Sequence, residues 1–412
     1  MSCRMSLRNK RIAILNDSTK YGRLTIMQQP IVHTYSLGEL YTERKEKGEP
    51  SLPILTVSIH AGVSEGELDE DKLGKKVKRI ADKTQYKTAR KGDLVFNMMR
   101  AWQGAIGIVR SDGLVSPAYI VAKPNEKIWP EYMDYCMKTP RMIHVIHRQS
   151  YGVTDFRLRL YWDSFTPITC QLPTLPEQQK IATILSTQDK VIELKEKLLA
   201  QKQQQKKYLM QQLLTGKKRL PGFDRKWNYV KANEIFKSIV DKCHDGKLEV
   251  LSSTQDKGIV PRSQVDIDIK YNENSLSTYK KVCEGDFVIS LRSFQGGIEY
   301  SNYAGIVSPA YTVLRAIVKI DNGYYKQFFK SSNYIKRLNV AVYGIRDGKQ
   351  ISYDDFGQIK IPVPPIEEQR EVAKVLSTAD HEIDLLQKSI EAEKQKKKAL
   401  MQLLLTGAVR VK

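Results

Sequence analysis

Two short stretches carry residue types suited to one kind of chemistry. MMRAWQGAIG places Arg100 three residues before Gln103, and SLRSFQGGIE places Arg292 three residues before Gln295. A guanidinium can give two parallel hydrogen bonds to the edge of guanine, and a carboxamide can do the same with adenine. In both stretches a strand-like run precedes the pair and a glycine turn follows, with Trp102 or Phe294 placed to pack under the loop. Residue types present in both copies also suit a shared fold or a phosphate contact, so stretches that keep a frame but change its contents are the better candidates for discrimination. YGVTDFRLR, with Arg157 and Arg159, and YGIRDGKQ, with Arg346 and Lys349, are one such pair. SIHAGVSEGE against STQDKGIVPRS is another, and it holds His60, Gln255, Lys257 and Arg262.

The chemistry of bond making is harder to find. GIRDGKQ at Gly344 is one residue short of a phosphate loop and has Gln350 where a hydroxyl is needed. No Gly-rich turn follows a strand in the manner of a dinucleotide or methyl-donor site. VPPIEE lacks the aromatic and amide context of a base-flipping methyltransferase pocket, DEDKLGK around Asp69 reads as a solvated charged loop, and six histidines show no metal-ligand spacing. No catalytic residue, cofactor site or metal site is assigned.

The elements that must position these loops occur twice. Shifted by 191 residues, EQQKIATILSTQDKVIELKEK from Glu177 falls on EQREVAKVLSTADHEIDLLQK from Glu368, without a gap to the endings MQQLLTG and MQLLLTG. Upstream, KGDLVFNMMRAWQGAIG parallels EGDFVISLRSFQGGIE, GLVSPAYIV parallels GIVSPAYTV, and SLGELY lines up loosely with KANEIF. Each half is a variable region of about 150 residues followed by a constant one of about 40. The constant segment opens on proline and acidic residues and closes on glycine after a leucine pair, which are helix start and stop signals. Leu185, Ile192, Leu199, Lys206 and Leu213 recur at seven-residue spacing, as do Leu376, Ile383, Ile390, Lys397 and Leu404. That spacing predicts two helices of roughly 55 Å packed on each other as a coiled coil. The lysines Lys202, Lys206, Lys207, Lys396, Lys397 and Lys398 suit a solvated face, DNA or an acidic partner surface. The variable regions read as mixed, richer in strand, with one helix over WPEYMDYCMKTPRMIHVIHRQ and another over GYYKQFFKSSNYIKRLNV.

Composition sets the bounds. The 412 residues suffice for two to four domains. A net charge of +21 and a pI near 9.5 favour a polyanionic partner. No run approaches the ~20 apolar residues of a membrane helix. MSCRMSLRNKRIAIL lacks the apolar core of a signal peptide, so a cytoplasmic protein is expected, with its five scattered cysteines reduced.

Two similar α+β domains, each followed by a long helix, form a pseudo-two-fold unit when the helices pack antiparallel. The domains then lie at opposite ends, each facing one groove segment of a duplex. The chain resembles the specificity subunits of type I restriction-modification systems over nearly its whole length. The resemblance is carried by Pro173 to Asp189, Pro364 to Asp380, both LLTG endings and KKRLPGFDRKW from Lys217 to Trp227. It implies two target-recognition domains, each reading half of a split double-stranded DNA sequence. It also implies constant helices that separate them and dock methyltransferase subunits, two in number, with restriction and translocase subunits completing the complex. The chain itself would be non-catalytic. The expected boundaries are an atypical N-terminal segment (1–30), a first domain (31–172), a first spacer helix (173–216), a linker (217–227), a second domain (228–363) and a second spacer helix (364–412). The first domain has no prelude like RLPGFDRKW, which departs from the family pattern. The competing classes are an RNA-binding or structural coiled-coil protein and a self-contained DNA-modifying enzyme.

Overall fold

The computed structural model describes residues 24–25, 33–59, 62–66, 82–154, 157–265, 273–341 and 351–411. The chain divides into two compact units, Met1–Leu194 with Ile390–Lys412, and Lys195–Ser389. Each unit contains one variable domain, the first part of the long helix that follows it, and the last part of the other long helix.

In the first unit a four-stranded antiparallel sheet runs in the order Tyr41–Glu43, Tyr119–Pro124, Leu94–Asn97, Ile106–Ile108. The run Leu94, Val95, Phe96 is apolar at every position because both faces of the sheet are covered. Leu94 and Phe96 join Leu37, Leu40, Tyr132, Met133 and Phe165 on the helical side. Val95 and Val121 join Leu55, Val57 and Val115 on the other. There a hairpin, Leu55–Ser58 with Gly62–Glu65, and a strand pair, Lys87–Ala89 with Gly113–Val115, close the domain.

The second unit repeats the plan. Its sheet order is Phe236–Ile239, Thr312–Ala316, Phe287–Ile289, Glu299–Tyr300. Phe287 and Leu314 face the aromatic cluster of Phe236, Tyr325, Phe329 and Phe356, while Val288 and Val313 face Leu251, Ile259 and Val307. The hairpin is Leu251–Thr254 with Gly258–Pro261.

Each helix expected after the sheet is in fact two. Pro130–Met137 and Pro140–Gln149 are separated at Lys138 and Thr139. Pro140 cannot continue the preceding ladder, and the Thr139 side chain accepts from Met142 N to cap the new start. Asn322–Phe329 and Ser332–Ala341 break at the same place, where Ser331 accepts from Tyr334 N. Entry and exit strands of each domain pair antiparallel, His33–Ser36 with Thr169–Leu172 and Asn228–Lys231 with Lys360–Val363, and the chain then passes directly into the long helix.

The long helices are Leu175–Leu213 and Ile366–Leu405. Gly216 and Gly407 follow in the left-handed conformation that a glycine stop requires. Their pairing is antiparallel within each unit. In the first, Gln188 Nε2 reaches Glu393, and Lys397 reaches Asp189 at 2.5 Å. In the second, Lys195 Nζ donates to Ser389 Oγ, Lys202 pairs with Glu382, and Lys206 pairs with Asp380. The seven-residue row lies along this seam, with Leu185, Ile192, Leu213, Leu376, Ile390 and Leu404 buried. The recurring Lys206 and Lys397 are therefore half-buried seam residues, whereas Lys207, Lys396 and Lys398 remain exposed.

The constant residues join each domain to both helices. Gln178 accepts from Trp129 N and donates to Lys127 O and Pro173 O; Gln369 accepts from Asp321 N and donates to Pro364 O. Asp189 accepts from the Tyr135 hydroxyl as well as Lys397, and Asp380 accepts from Gln327 Nε2 as well as Lys206. Glu368, fully buried, takes both arms of Arg219 at 2.6 Å and the Trp227 indole at 2.8 Å. Glu177 takes the same fork from Arg410, near the C-terminus. The prelude missing before the first domain thus has its counterpart after the second helix, where Arg410–Val411 also pairs with Leu24–Thr25.

Candidate nucleic-acid interface

Arg100 and Arg292 begin the same turn. Each follows a sheet strand, each has nearly the same backbone conformation (φ −134°, ψ 6° and φ −110°, ψ 9°), and each precedes a single helical turn. Arg100, Gln103, Arg292 and Gln295 are all exposed. The half-buried Trp102 lies under the first turn, its ring 5.4 Å from His147 and its Nε1 donating to Met99 O. Next to the arginines stand Met99 and Leu291, each about half exposed at 45% and 50%. An apolar side chain left in water at the same position of both domains is a candidate contact that a search for polar readers passes over. Its signal was the shared apolar residue directly before each arginine.

In both units the hairpin tip lies against this turn. A Cβ placed on Gly104 would sit 4.0 Å from Ile59 O. In the second unit the approach is closer, since a Cβ on Gly296 would be 2.9 Å from Gln255 Cγ and 3.1 Å from its Nε2. The Gln255 side chain thus lies across the Arg292–Gln295 turn. Gln255 and Lys257 are exposed, with the tip closed by Thr254 Oγ1, which donates to Gly258 O and accepts from Lys257 N. Arg262 faces inward: it is half-buried and its Nε donates to Ser252 Oγ. His60 lies outside the described residues.

The third stretch leaves the second helix of the pair. Tyr151 and Arg159 exchange backbone hydrogen bonds at 3.1 and 3.0 Å, closing a loop that exposes Val153, Arg157 and Arg159. Leu160 N donates to Met98 O, fixing the loop beside the Arg100 turn. The corresponding Arg346 and Lys349, like the Asp69 loop, lie outside the described residues.

Each domain also holds buried paired charges. Asp93 and Asp286, both nearly inaccessible, hold Arg44 and Arg315 respectively. Lys138 and Lys330 sit at the same helix end in the two domains, held by Asp134 and Glu299. Burial pushes the Glu299 carboxyl above its ordinary range, opposed by the Lys330 ammonium. Cys136 and Cys170 are buried, and burial pushes both thiols up to about 12. Among the described residues no group of acidic, histidine or cysteine side chains is arranged to hold a metal ion, and no helix is long and apolar enough to cross a membrane.

Comparison with known proteins addresses the same two regions. Residues 38–203 and 224–394 each match the type I restriction modification DNA specificity domain. A protein of Methanocaldococcus jannaschii, provisionally named the type I restriction enzyme MjaX specificity subunit, is 26% identical over 406 residues, spanning 90% of each chain. The crystal structure of the HsdS subunit from Thermoanaerobacter tengcongensis shares the fold, with a TM-score of 0.52 at 19% identity over 95% of this chain and 99% of that one. A chain from a structure describing complex assembly and conformational transition of the type I R-M system gives 0.56 at 19% identity, over 92% and 99%. With the specificity domain matched twice, over most of the chain, the protein belongs to the type I restriction-modification DNA specificity family, whose specificity subunits are non-catalytic parts of the restriction-modification complex.

Proposed function

We propose that this subunit reads a bipartite duplex sequence, one half-site per domain, through the arginine turn of each domain and the two variable stretches that accompany it in the sequence. The reading residues of the first domain are Arg100, Gln103, Arg157 and Arg159, with His60 included from the sequence alone. Those of the second are Gln255, Lys257, Arg292 and Gln295, with Arg346 and Lys349 included by their correspondence in sequence to the stretch from Tyr151 to Arg159. Arg262 serves the hairpin itself. Met99 and Leu291 suit apolar contact with a thymine methyl. The observation that carries this reading is the repetition of one exposed Arg/Gln turn, with a hairpin tip against it, in two units of the same topology. A basic chain of this size draws much of its affinity from phosphate contacts, so affinity falls with salt while base preference is set locally.

The long helices set the gap between half-sites and dock the methyltransferase subunits, two per complex, to which restriction and translocase subunits are added. The protein works in the cytoplasm, where its DNA is. Exchanging 36–161 for the equivalent region of a relative tests the assignment. Selection from randomised duplexes is expected to return one altered and one unchanged half-site. Alteration of both, or of neither, contradicts a one-domain, one-half-site reading.

A further inference from the structure

Lys330 ends the helix Asn322–Phe329 and reaches two groups at once. Its Nζ donates to the Gln255 carbonyl at 3.1 Å and pairs with Glu299 Oε1. Glu299 is 2% exposed, and its second oxygen has no hydrogen-bond partner among the described residues. A buried carboxylate so sparsely satisfied is costly for the fold alone. The strand that carries it also carries the hairpin: a Cβ on Gly258, at φ +78°, would sit 2.8 Å from Tyr300 O. The tip is therefore seated on Glu299–Tyr300, held from below by Lys330, with the Gln255 side chain laid over the Arg292–Gln295 turn.

The first domain keeps the lysine and changes its acid. Lys138 occupies the same helix end and packs its Nζ against the hairpin, where a Cβ on Gly62 would lie 2.9 Å from it. Its carboxylate is Asp134, one turn back on its own helix, at 2.9 Å. Gly107 stands where the second domain has Glu299, and Asp134 Oδ1 fills the space beside it. Two domains that reach the same lysine–tip contact with carboxylates from different elements retain the contact and not the pair.

Resting on the proposed reading of DNA, we infer that Lys330, buttressed by Glu299, is a positioning residue for sequence discrimination. It fixes the tip at Gln255 against the arginine turn, and Lys138 is its counterpart in the first domain. The lysine touches no base itself. It sets the geometry from which Gln255, Arg292 and Gln295 meet one.

The test uses the full chain assembled with methyltransferase subunits and selection from randomised duplexes. Removing Lys330 alone strands a buried acid, so the decisive variant is the volume-conserving pair E299M/K330M, with K330R as the conservative control. The pair variant is expected to melt within a few degrees of the parent and keep full preference at one half-site. At the other it should lose about tenfold in discrimination, the scale of one good base contact. K330R, which keeps a donor for Gln255 O and a cation for Glu299, should retain the preference. Full preference at both half-sites in the pair variant overturns the inference, as does its failure to fold. A parent protein with no sequence preference instead overturns the DNA-reading proposal on which the inference stands.

Discussion

Arg100 and Arg292 show what can and cannot be read from residue types. Their recurrence was visible in the sequence, and the structure gives both the same exposed turn. Arg262 was equally attractive by type, yet it opens the short helical turn Arg262–Gln264 that follows the hairpin, and from there its side chain turns inward to Ser252. Nothing in the local sequence reveals which face its neighbours cover. R100A and R292A are each expected to weaken binding to the selected target by about 1–3 kcal/mol, and to relax preference at one half-site only. Neither should shift the melting temperature, since both side chains project into water; calorimetry beside a binding titration checks this. A second expectation concerns the thiols. With Cys136 and Cys170 buried and their thiols pushed up to about 12, both are protonated at neutral pH. In the native protein a maleimide should label the exposed Cys243 well ahead of either. Prompt labelling of Cys136 or Cys170, read by mass spectrometry of the digest, would contradict their burial.

The long helices were the most legible elements, because a seven-residue apolar row bounded by proline and glycine has few other meanings. The same sequence reading ran the paired short helices together. The apolar pattern of Trp129 to Gln149 continues through Pro140, and only the capping by Thr139 shows that a new helix begins there. The roles of Glu177, Gln178 and Asp189, and of Glu368, Gln369 and Asp380, were out of reach. They are defined by partners that no short-range rule locates, up to 234 residues away for Glu177 and Val411. Those partners explain the constancy of the segment. It binds domain to helix, and so it repeats where the loops around the arginine turns diverge. E368A should be among the most damaging substitutions in the second unit. It leaves the Arg219 fork and the Trp227 indole without their acceptor, at a cost of roughly 3–5 kcal/mol. Thermal unfolding should show a large drop for E368A, and a similar one for E177A through Arg410. Near-parental melting of both would mean that these forks contribute little.

At the scale of the whole molecule, the duplication gives two domains of one topology, each in a unit where the two long helices pair antiparallel. Each unit is completed by the end of the other half's helix: Leu404 and Val409 enter the first core, Leu213 and Leu214 the second. The overall plan was legible because a 191-residue repeat constrains topology more strongly than any single element does. Which side chains bear on bases was not, since that depends on loops whose conformation the constant segments do not dictate. The central claim is that the helix pair sets the gap between two half-sites. The most direct measurement inserts four residues into each helix where they face one another, after Leu194 and after Ser389, so that the Lys195–Ser389 contact and the pairing on either side are kept. Each insertion adds about 6 Å, close to the rise of one to two base pairs. Duplex selection should return the same two half-sites with a gap longer by one or two base pairs; an unchanged gap with binding intact would contradict the account.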